Sequence, residues 1–248
     1  KKNIEQGKQT LDKICEKKRS LSCFFVESIL GCGGQIILPP NYLKNIFNFV
    51  RKKNALCIID EVQTGFGRVG RDYWAFEEHK VIPDIVTLGK PMGNGHPIAA
   101  VITTKEIAKV FNNGMEYFNS FGGNPVSCAV GNAVLDVIHE EKLQFHANKV
   151  GKYFLSKLLK IKNKFPNLIS EVRGRGLFIG IDFIYNNKSF KPNPKLASNI
   201  INTLREKGIL LSTDGPYHNV IKIKPPLPFN KNDVDFVCFE IDYYLSSL

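Results

Sequence analysis

Two ionisable residues, thirty positions apart, each close a short apolar run. The run Ala55-Leu-Cys-Ile-Ile stops at Asp60, and Ile85-Val-Thr-Leu leads through Gly89 to Lys90. Continuous apolar runs of that length with β-branched members read as strands buried on both faces, as in parallel sheets. Ligands of open α/β sheets lie beyond the carboxyl ends of such strands. A carboxylate and an amine are thus placed where one small molecule could meet both, held at opposite ends. Lys90 opens a Gly-rich turn that runs to Pro97, a poor place for a surface lysine and a good one for a desolvated amine. Desolvation favours the uncharged amine, the form that attacks a carbonyl.

An aldehyde on a pyridine ring makes both demands at once. It needs an amine for a Schiff base and an acid to keep the ring nitrogen protonated; pyridoxal 5'-phosphate (PLP) is the cofactor with that pair of requirements. Other chemistries find less support. Gly65-Phe-Gly67-Arg-Val-Gly70 matches the dinucleotide pattern G-x-G-x-x-G, but Asp60 and Glu61 stand where a pyrophosphate would lie, and Arg71-Asp-Tyr-Trp does not open a helix. His79, His96, His139, His146 and His218 are dispersed, without metal-ligand spacing. No G-x-S-x-G elbow is present.

The elements that must position Asp60 and Lys90 alternate. A surface helix is expected over residues 1–18, a buried strand over Ser22–Ile29, and an irregular link from Gly31 to Pro40. A helix over Tyr42–Lys53 with Asn54 as its C-cap follows, and then the strand to Asp60. That order is the mark of a parallel sheet with helical crossovers. After the Lys90 turn come a strand over Ile98–Thr103 and a short helix over Lys105–Phe111. Asn124-Pro125 reads as a cap and first turn. The helix it starts is expected to bury Val126, Ala129, Val130, Ala133, Val134, Val137 and Ile138. Beyond residue 140 the pattern becomes α+β: a helix over 143–160, a strand over Ile169–Phe183, and a helix over 195–207. Strands near Ile209–Ser212 and Val220–Ile223 and a helix over Asn232–Leu245 complete it. Pro192-Asn-Pro194 is the expected loose loop.

The chain of 248 residues carries a formal charge of +11 and is 43% hydrophobic. That suffices for one large or two ordinary cores, and no apolar run nears the roughly 18 residues of a membrane span. Lysines are scattered without basic blocks or interleaved aromatics, so neither nucleic acid nor membrane is expected as a partner. Cys15, Cys23, Cys32, Cys57, Cys128 and Cys238 lack metal spacing and are expected as buried free thiols of a reducing compartment. The charged opening Lys1-Lys2-Asn3-Ile4-Glu5 has no signal-peptide core.

At these residues the chain resembles the class III (ω-type) aminotransferases of PLP fold type I. Asp60-Glu-Val-Gln63-Thr-Gly65-Phe-Gly67-Arg68 and Pro83-Asp-Ile-Val-Thr-Leu-Gly89-Lys90 are similar to that family's two most specific motifs. Phe118-Asn-Ser120-Phe-Gly122-Gly123-Asn124-Pro125 is similar to a third. Likeness continues through Arg173-Gly-Arg-Gly176-Leu to Lys222-Ile-Lys-Pro-Pro226-Leu, so essentially the whole chain is covered. The resemblance implies residues 1–139 as the C-terminal part of a PLP-binding large domain, its sheet mainly parallel. Residues 140–248 would be an α+β small domain. Lys90 would be the Schiff-base lysine, Asp60 the partner of the pyridinium nitrogen, and Gln63 a neighbour of the ring's phenolic oxygen. Ser120 would hold the PLP phosphate of a neighbouring subunit, which implies a homo-oligomer with shared sites. Arg68, Trp74 and Arg173 are read as scaffold.

One branch fits best, the phospho-lyases of ethanolamine phosphate and phosphohydroxylysine. Gly89-Lys90-Pro-Met-Gly-Asn-Gly-His96-Pro, Gly114-Met-Glu-Tyr-Phe-Asn119, Leu211-Ser-Thr-Asp214-Gly-Pro216 and Cys32-Gly-Gly-Gln35-Ile-Ile all resemble it. Where many aminotransferases have an acid after the Glu27 motif, this chain has Cys32. Where they have a carboxylate-gripping Arg, it has Lys222, which lacks the bidentate fork. The expected substrate is therefore a small phosphorylated amine, losing phosphate and ammonia to leave an aldehyde. A class III transaminase of the alanine–glyoxylate type and a non-catalytic PLP-fold binding protein are the alternatives. Family members carry a long segment ahead of this part, so the chain reads as a C-terminal fragment expected to bind PLP poorly alone. A mitochondrial or cytosolic location is implied, the branch favouring mitochondria.

Overall fold

The computed structural model describes residues 2–16 and 20–248. In chain order the elements are α1 (Lys2–Glu16), β1 (Cys23–Glu27), β2 (Ile29–Leu30), β3 (Ile36–Ile37), α2 (Tyr42–Lys52), β4 (Leu56–Asp60), β5 (Ile85–Leu88) and β6 (Ala100–Thr103). Then follow α3 (Lys105–Phe111), α4 (Pro125–Glu140), α5 (Leu143–Lys164), β7 (Ile169–Arg175), β8 (Phe178–Phe183), α6 (Pro194–Glu206), β9 (Ser212–Asp214), β10 (Val220–Ile223) and α7 (Lys231–Ser246). The ends of the helix expected over 1–18 fall on residues 1, 17 and 18, outside the described residues.

Two compact units form. The first comprises Lys1–Ser28, Leu38–Phe66 and Trp74–Glu140; the second comprises Ile29–Ile37, Gly67–Tyr73 and Glu141–Leu248.

In the first unit a four-stranded sheet runs β1-β4-β5-β6. The first three strands are parallel, and β6 returns antiparallel to β5. α2 covers the β1–β4 side with Leu43, Ile46, Phe47 and Val50, apolar positions three and four apart on one helical face. Asp84 fixes how β4 and β5 begin. Its Oδ2 accepts from Cys57 N at 2.7 Å, and its Oδ1 takes Arg51 Nη2 at 3.0 Å. β1 differs from expectation: it is an edge strand, with Cys23 exposed and Phe25 56% exposed, because among the described residues it pairs with β4 alone. α4 differs too. Val126, Ala129, Ala133 and Val137 are exposed, whereas Ser127, Gly131 and Ile138 are buried. The helix leans on the backbone of the Lys90 turn, and a Cβ on Gly131 would already touch Ile98 at 3.3 Å. Small and polar residues suit that contact better than a wide apolar stripe.

The Gly65–Gly70 stretch folds as turns, and no helix opens at Arg71. A Cβ at Gly65 would meet the Trp74 ring at 2.9 Å, so this glycine is there for close packing.

The second unit is an antiparallel sheet, β7-β8-β10-β9, and a β2–β3 hairpin. Phe154, Leu158, Ile179, Ile181, Phe183, Ile200, Ile221 and Ile241 form its core with α5, α6 and α7. The single strand expected over Ile169–Phe183 is two, since the chain reverses at Gly176 with φ +52°. Asn193 is buried, not loose: it caps α6 by accepting from Leu196 N at 3.0 Å. Arg173 is buried as scaffold. Its Nε donates to the Gly34 carbonyl at 2.9 Å, and its Nη1 to Glu171 at 2.6 Å and Asp182 at 3.1 Å. Arg68 donates to the carbonyls of Leu177 and Pro225 at 3.2 and 2.7 Å, and burial pulls its guanidinium down to about 10.

Candidate functional site

Parallel pairing brings three chain segments to one end of the first sheet. Glu27 stands opposite Asp60, and Asp60 opposite Thr87, so Lys90 follows three residues beyond that pair. Asp60 is half-buried, and its Oδ1 accepts from Val62 N at 2.8 Å, closing the turn out of β4. Its Oδ2 takes no hydrogen bond among the described residues. Gln63 reaches back across the strand ends, its Nε2 donating to Glu27 Oε1 at 3.4 Å.

Lys90 begins a one-turn 3-10 segment, Lys90–Gly93, and adopts a left-handed φ of 35°. Such a conformation in a non-glycine residue costs on the order of 1–3 kcal/mol and persists where the surroundings over-determine it. The turn holds itself with Met92 N to Gly89 O, Asn94 N to Pro91 O and His96 N to Gly93 O at 3.0, 3.2 and 2.9 Å. The expected desolvation is not observed: burial runs through Leu88 and Gly89 and ends where the 3-10 segment starts, leaving Lys90 exposed. Its amine has no ion pair among the described residues.

Glu61, one residue from Asp60, plays the opposite part. It is 0% exposed and accepts from Ser28 Oγ, Thr64 Oγ1, Ala75 N and Phe76 N at 2.7, 2.8, 3.1 and 2.9 Å. Burial raises its carboxyl above the ordinary 4.5, and the four donors work against that rise. Glu61 ties the strand end to the segment around Ala75 while Asp60 stays open. Adjacency in sequence hides this division, which only the donors reveal.

Ser120 lies on the exposed turn before α4, with no side-chain partner among the described residues. Asn124 closes that turn: its Nδ2 donates to Phe121 O at 2.7 Å and its Oδ1 accepts from Ser127 N at 2.9 Å. Ser127 Oγ lies 2.7 Å from His96 Nε2. In the sequence His96 reads only as part of the Gly89–Pro97 motif, and Ser127 carries no signal of its own.

Cys32 and Lys222 belong to the second unit. Lys222 Nζ, on β10, pairs with Asp214 Oδ2 at 2.9 Å, and the same oxygen accepts from Gln35 Nε2 at 2.8 Å. The Cys32 carbonyl accepts from Gly215 N at 3.1 Å, which sets the β2–β3 turn beside Asp214. Gln35 is 0% exposed, and its Oε1 is buried without a partner. Sequence reading assigns Cys32 and Lys222 a part in substrate choice and takes in Gln35 and Asp214 only within motifs, without the contacts that join them.

Among the described residues no cluster of His, Cys, Asp and Glu could hold a metal ion, and no helix is long and apolar enough to cross a membrane. Residues 1–245 match the aminotransferase class-III family. Alanine–glyoxylate aminotransferase 2-like of Drosophila melanogaster is 48% identical over 92% of this chain and 47% of its own length. Ethanolamine-phosphate phospho-lyase homolog 1 of Caenorhabditis elegans is 44% identical over 92% of this chain and 49% of its own. The chain thus spans about half the length of these curated relatives. A solved phospholyase from Arthrobacter, in complex with phosphoethanolamine, superposes with a TM-score of 0.94. It is 40% identical, covering 99% of this chain and 59% of that one. The fold is accordingly PLP fold type I, with a parallel-containing α/β sheet. The chain belongs to the class III aminotransferases, a family of PLP-dependent enzymes.

Proposed function

We propose that the protein is a PLP-dependent phospho-lyase acting on a small phosphorylated amine, ethanolamine phosphate or phosphohydroxylysine. The carrying observation is the Lys222–Asp214 ion pair of 2.9 Å. A transaminase cycles between two substrates through an arginine that grips their carboxylate bidentately. Here the corresponding cation is a lysine whose charge is already met by Asp214.

The residues present suit PLP. Asp60 offers an open carboxylate oxygen at a strand end, for a protonated ring nitrogen. Lys90 offers an amine without an ion pair, for the aldehyde carbon. Gln63 would lie near the phenolic oxygen. Ser120 would offer an unengaged hydroxyl, beside a helix N-terminus, to the phosphate of a neighbouring subunit's cofactor. When bound, PLP withdraws electrons from the carbon bearing the substrate amine. Asp60 would keep the ring nitrogen protonated, and Lys90 would take the Cα proton. With phosphate as the leaving group on the β-carbon and a proton returned to that carbon, addition of water would give an aldehyde, ammonia and inorganic phosphate.

In this reading residues 1–139 belong to the large, PLP-binding domain and 140–248 to the small domain. Cys32 and Lys222 bear on substrate choice, and the protein works as a homo-oligomer. A mitochondrial location is part of the proposal, supported by Homo sapiens and Arabidopsis thaliana relatives whose names carry that word. The second reading, a transaminase of the alanine–glyoxylate type, is favoured by the name of the Drosophila relative.

The test uses the full-length protein with PLP and either ethanolamine phosphate or phosphohydroxylysine. Release of phosphate and ammonia without a keto acid supports the lyase. Amino transfer to pyruvate or glyoxylate without phosphate release overturns it in favour of the transaminase. Absence of any visible PLP absorbance removable by Lys90→Ala overturns both and leaves a non-catalytic binding protein.

A further inference from the structure

We propose that His96 is a positioning residue that ties the turn carrying Lys90 to the turn carrying Ser120. The inference rests on the PLP reading above, in which those two turns serve cofactors.

Within the first unit the connection is continuous. His96 Nε2 meets Ser127 Oγ at 2.7 Å, Asn124 Nδ2 donates to the same oxygen at 2.9 Å, and Asn124 Nδ2 also donates to Phe121 O at 2.7 Å. Phe121 follows Ser120 directly. Ser127 is only 8% exposed, so its hydroxyl proton must find an acceptor inside the protein. Its oxygen already accepts from Asn124, and His96 Nε2 is the ring nitrogen within reach. The hydroxyl therefore donates to Nε2, and the imidazole carries its proton on Nδ1. Asn124 is used on both sides of its amide, since Oδ1 accepts from Ser127 N at 2.9 Å. The chain of bonds has no slack.

The Lys90 turn needs such an anchor. Among the described residues its backbone hydrogen bonds run between residues of the turn, so between its ends at β5 and β6 they shape it without tying it to a neighbouring element. Between those ends, the turn is held by packing against α4 and by His96. Ile98, just after the turn, packs both ways: a Cβ on Gly93 would lie 2.7 Å from Ile98 Cγ2, and one on Gly131 of α4 3.3 Å from Ile98 Cδ1. The left-handed Lys90 is held at the far end of that turn. A free turn would let position 90 relax and move the amine. Because Ser120 is read as serving the neighbouring subunit's cofactor, the same link joins a subunit's own Lys90 to its partner's site.

The experiment uses the full-length protein, PLP, and the variants His96→Ala, His96→Gln, Ser127→Ala and His96→Ala/Ser127→Ala. PLP dissociation constants come from titration of the visible absorbance. A spectrophotometric pH titration of that band reports the environment of the Lys90-bound cofactor, and circular dichroism reports the fold. His96→Ala should weaken PLP binding about tenfold or more and shift the midpoint of the pH titration. His96→Gln, whose side-chain carbonyl can accept from Ser127, should recover most of both. Ser127→Ala should reproduce the loss, and the double variant should be no worse than either single one. Folded single variants with wild-type PLP affinity and band midpoint overturn the inference, as do losses that simply add. Should His96→Ala not fold, Ser127→Ala with wild-type PLP binding overturns it by itself. A wild-type protein with no Lys90-dependent absorbance overturns the PLP reading and this inference together; normal wild-type absorbance with unaffected variants overturns this inference alone.

Discussion

Asp60 and Glu61 show how far two adjacent carboxylates can differ. Glu61 is enclosed by four donors, and Asp60 spends one oxygen on a turn and keeps the other open. Glu61→Ala strands two hydroxyls and two backbone N–H groups and is expected to cost about 3 kcal/mol or more. Asp60→Ala loses a single bond to Val62 N and should cost about 1 kcal/mol. Urea unfolding of both variants checks the contrast, and equal losses would contradict it. The cysteines divide in a similar way. None of the six is in a disulfide, but Cys23, Cys32 and Cys128 are exposed, Cys15 is half-buried, and only Cys57 and Cys238 are buried as expected. Burial pushes those two thiols up to about 11 and about 12. At pH 8 they are therefore protonated and sheltered, and a thiol reagent should modify them only on unfolding, after the three exposed cysteines. Rapid labelling of Cys57 in the native protein, read by mass spectrometry, would contradict that picture.

Among the elements, β4 and β5 are joined by a side chain as well as by their ladder. Asp84 receives the Cys57 N–H in place of a strand partner and draws Arg51 from α2 onto the same carboxylate. Asp84→Ala should destabilise the protein by roughly 1–3 kcal/mol through the unsatisfied N–H, and Asp84→Asn, which keeps an acceptor, should recover most of it in the same unfolding assay. This pairing fixes how the two strands start, at the end opposite the one from which Asp60 and the Lys90 turn emerge. α4 shows where periodicity misleads. Its apolar residues were expected to face inward, but its buried side is set by Ser127 and Gly131, chosen by a turn and a histidine and not by a sheet.

The whole molecule divides by compactness into units that sequence order does not mark. The unit containing Glu141–Leu248 also takes in Ile29–Ile37 and Gly67–Tyr73. Arg173 is bonded to Gly34 O, and Arg68 to Leu177 O and Pro225 O, so each short segment is tied in by a guanidinium. Residues 140–248 expressed alone would lack both segments and leave Arg173 Nε without its carbonyl. That piece should unfold at a lower urea concentration than the same unit within the full chain. An unchanged midpoint would show that the two segments add nothing to its stability.

Local runs in the sequence were enough to place the strands ending at Asp60 and before Lys90, the α2 helix and the Asn124–Pro125 helix start. Those features depend on hydrophobic periodicity and turn chemistry, which act between residues close in the chain. The family followed from motifs whose order and spacing survive in a linear reading. The tertiary structure alone decided that Lys222 is neutralised by Asp214, that Glu61 is a brace beside an open Asp60, and that His96 meets Ser127. Each of these joins residues eight or more positions apart or turns on which of two neighbours faces inward. Pairwise polar contacts of that kind leave no period in the sequence, because they are fixed by where the folded backbone brings a donor to an acceptor.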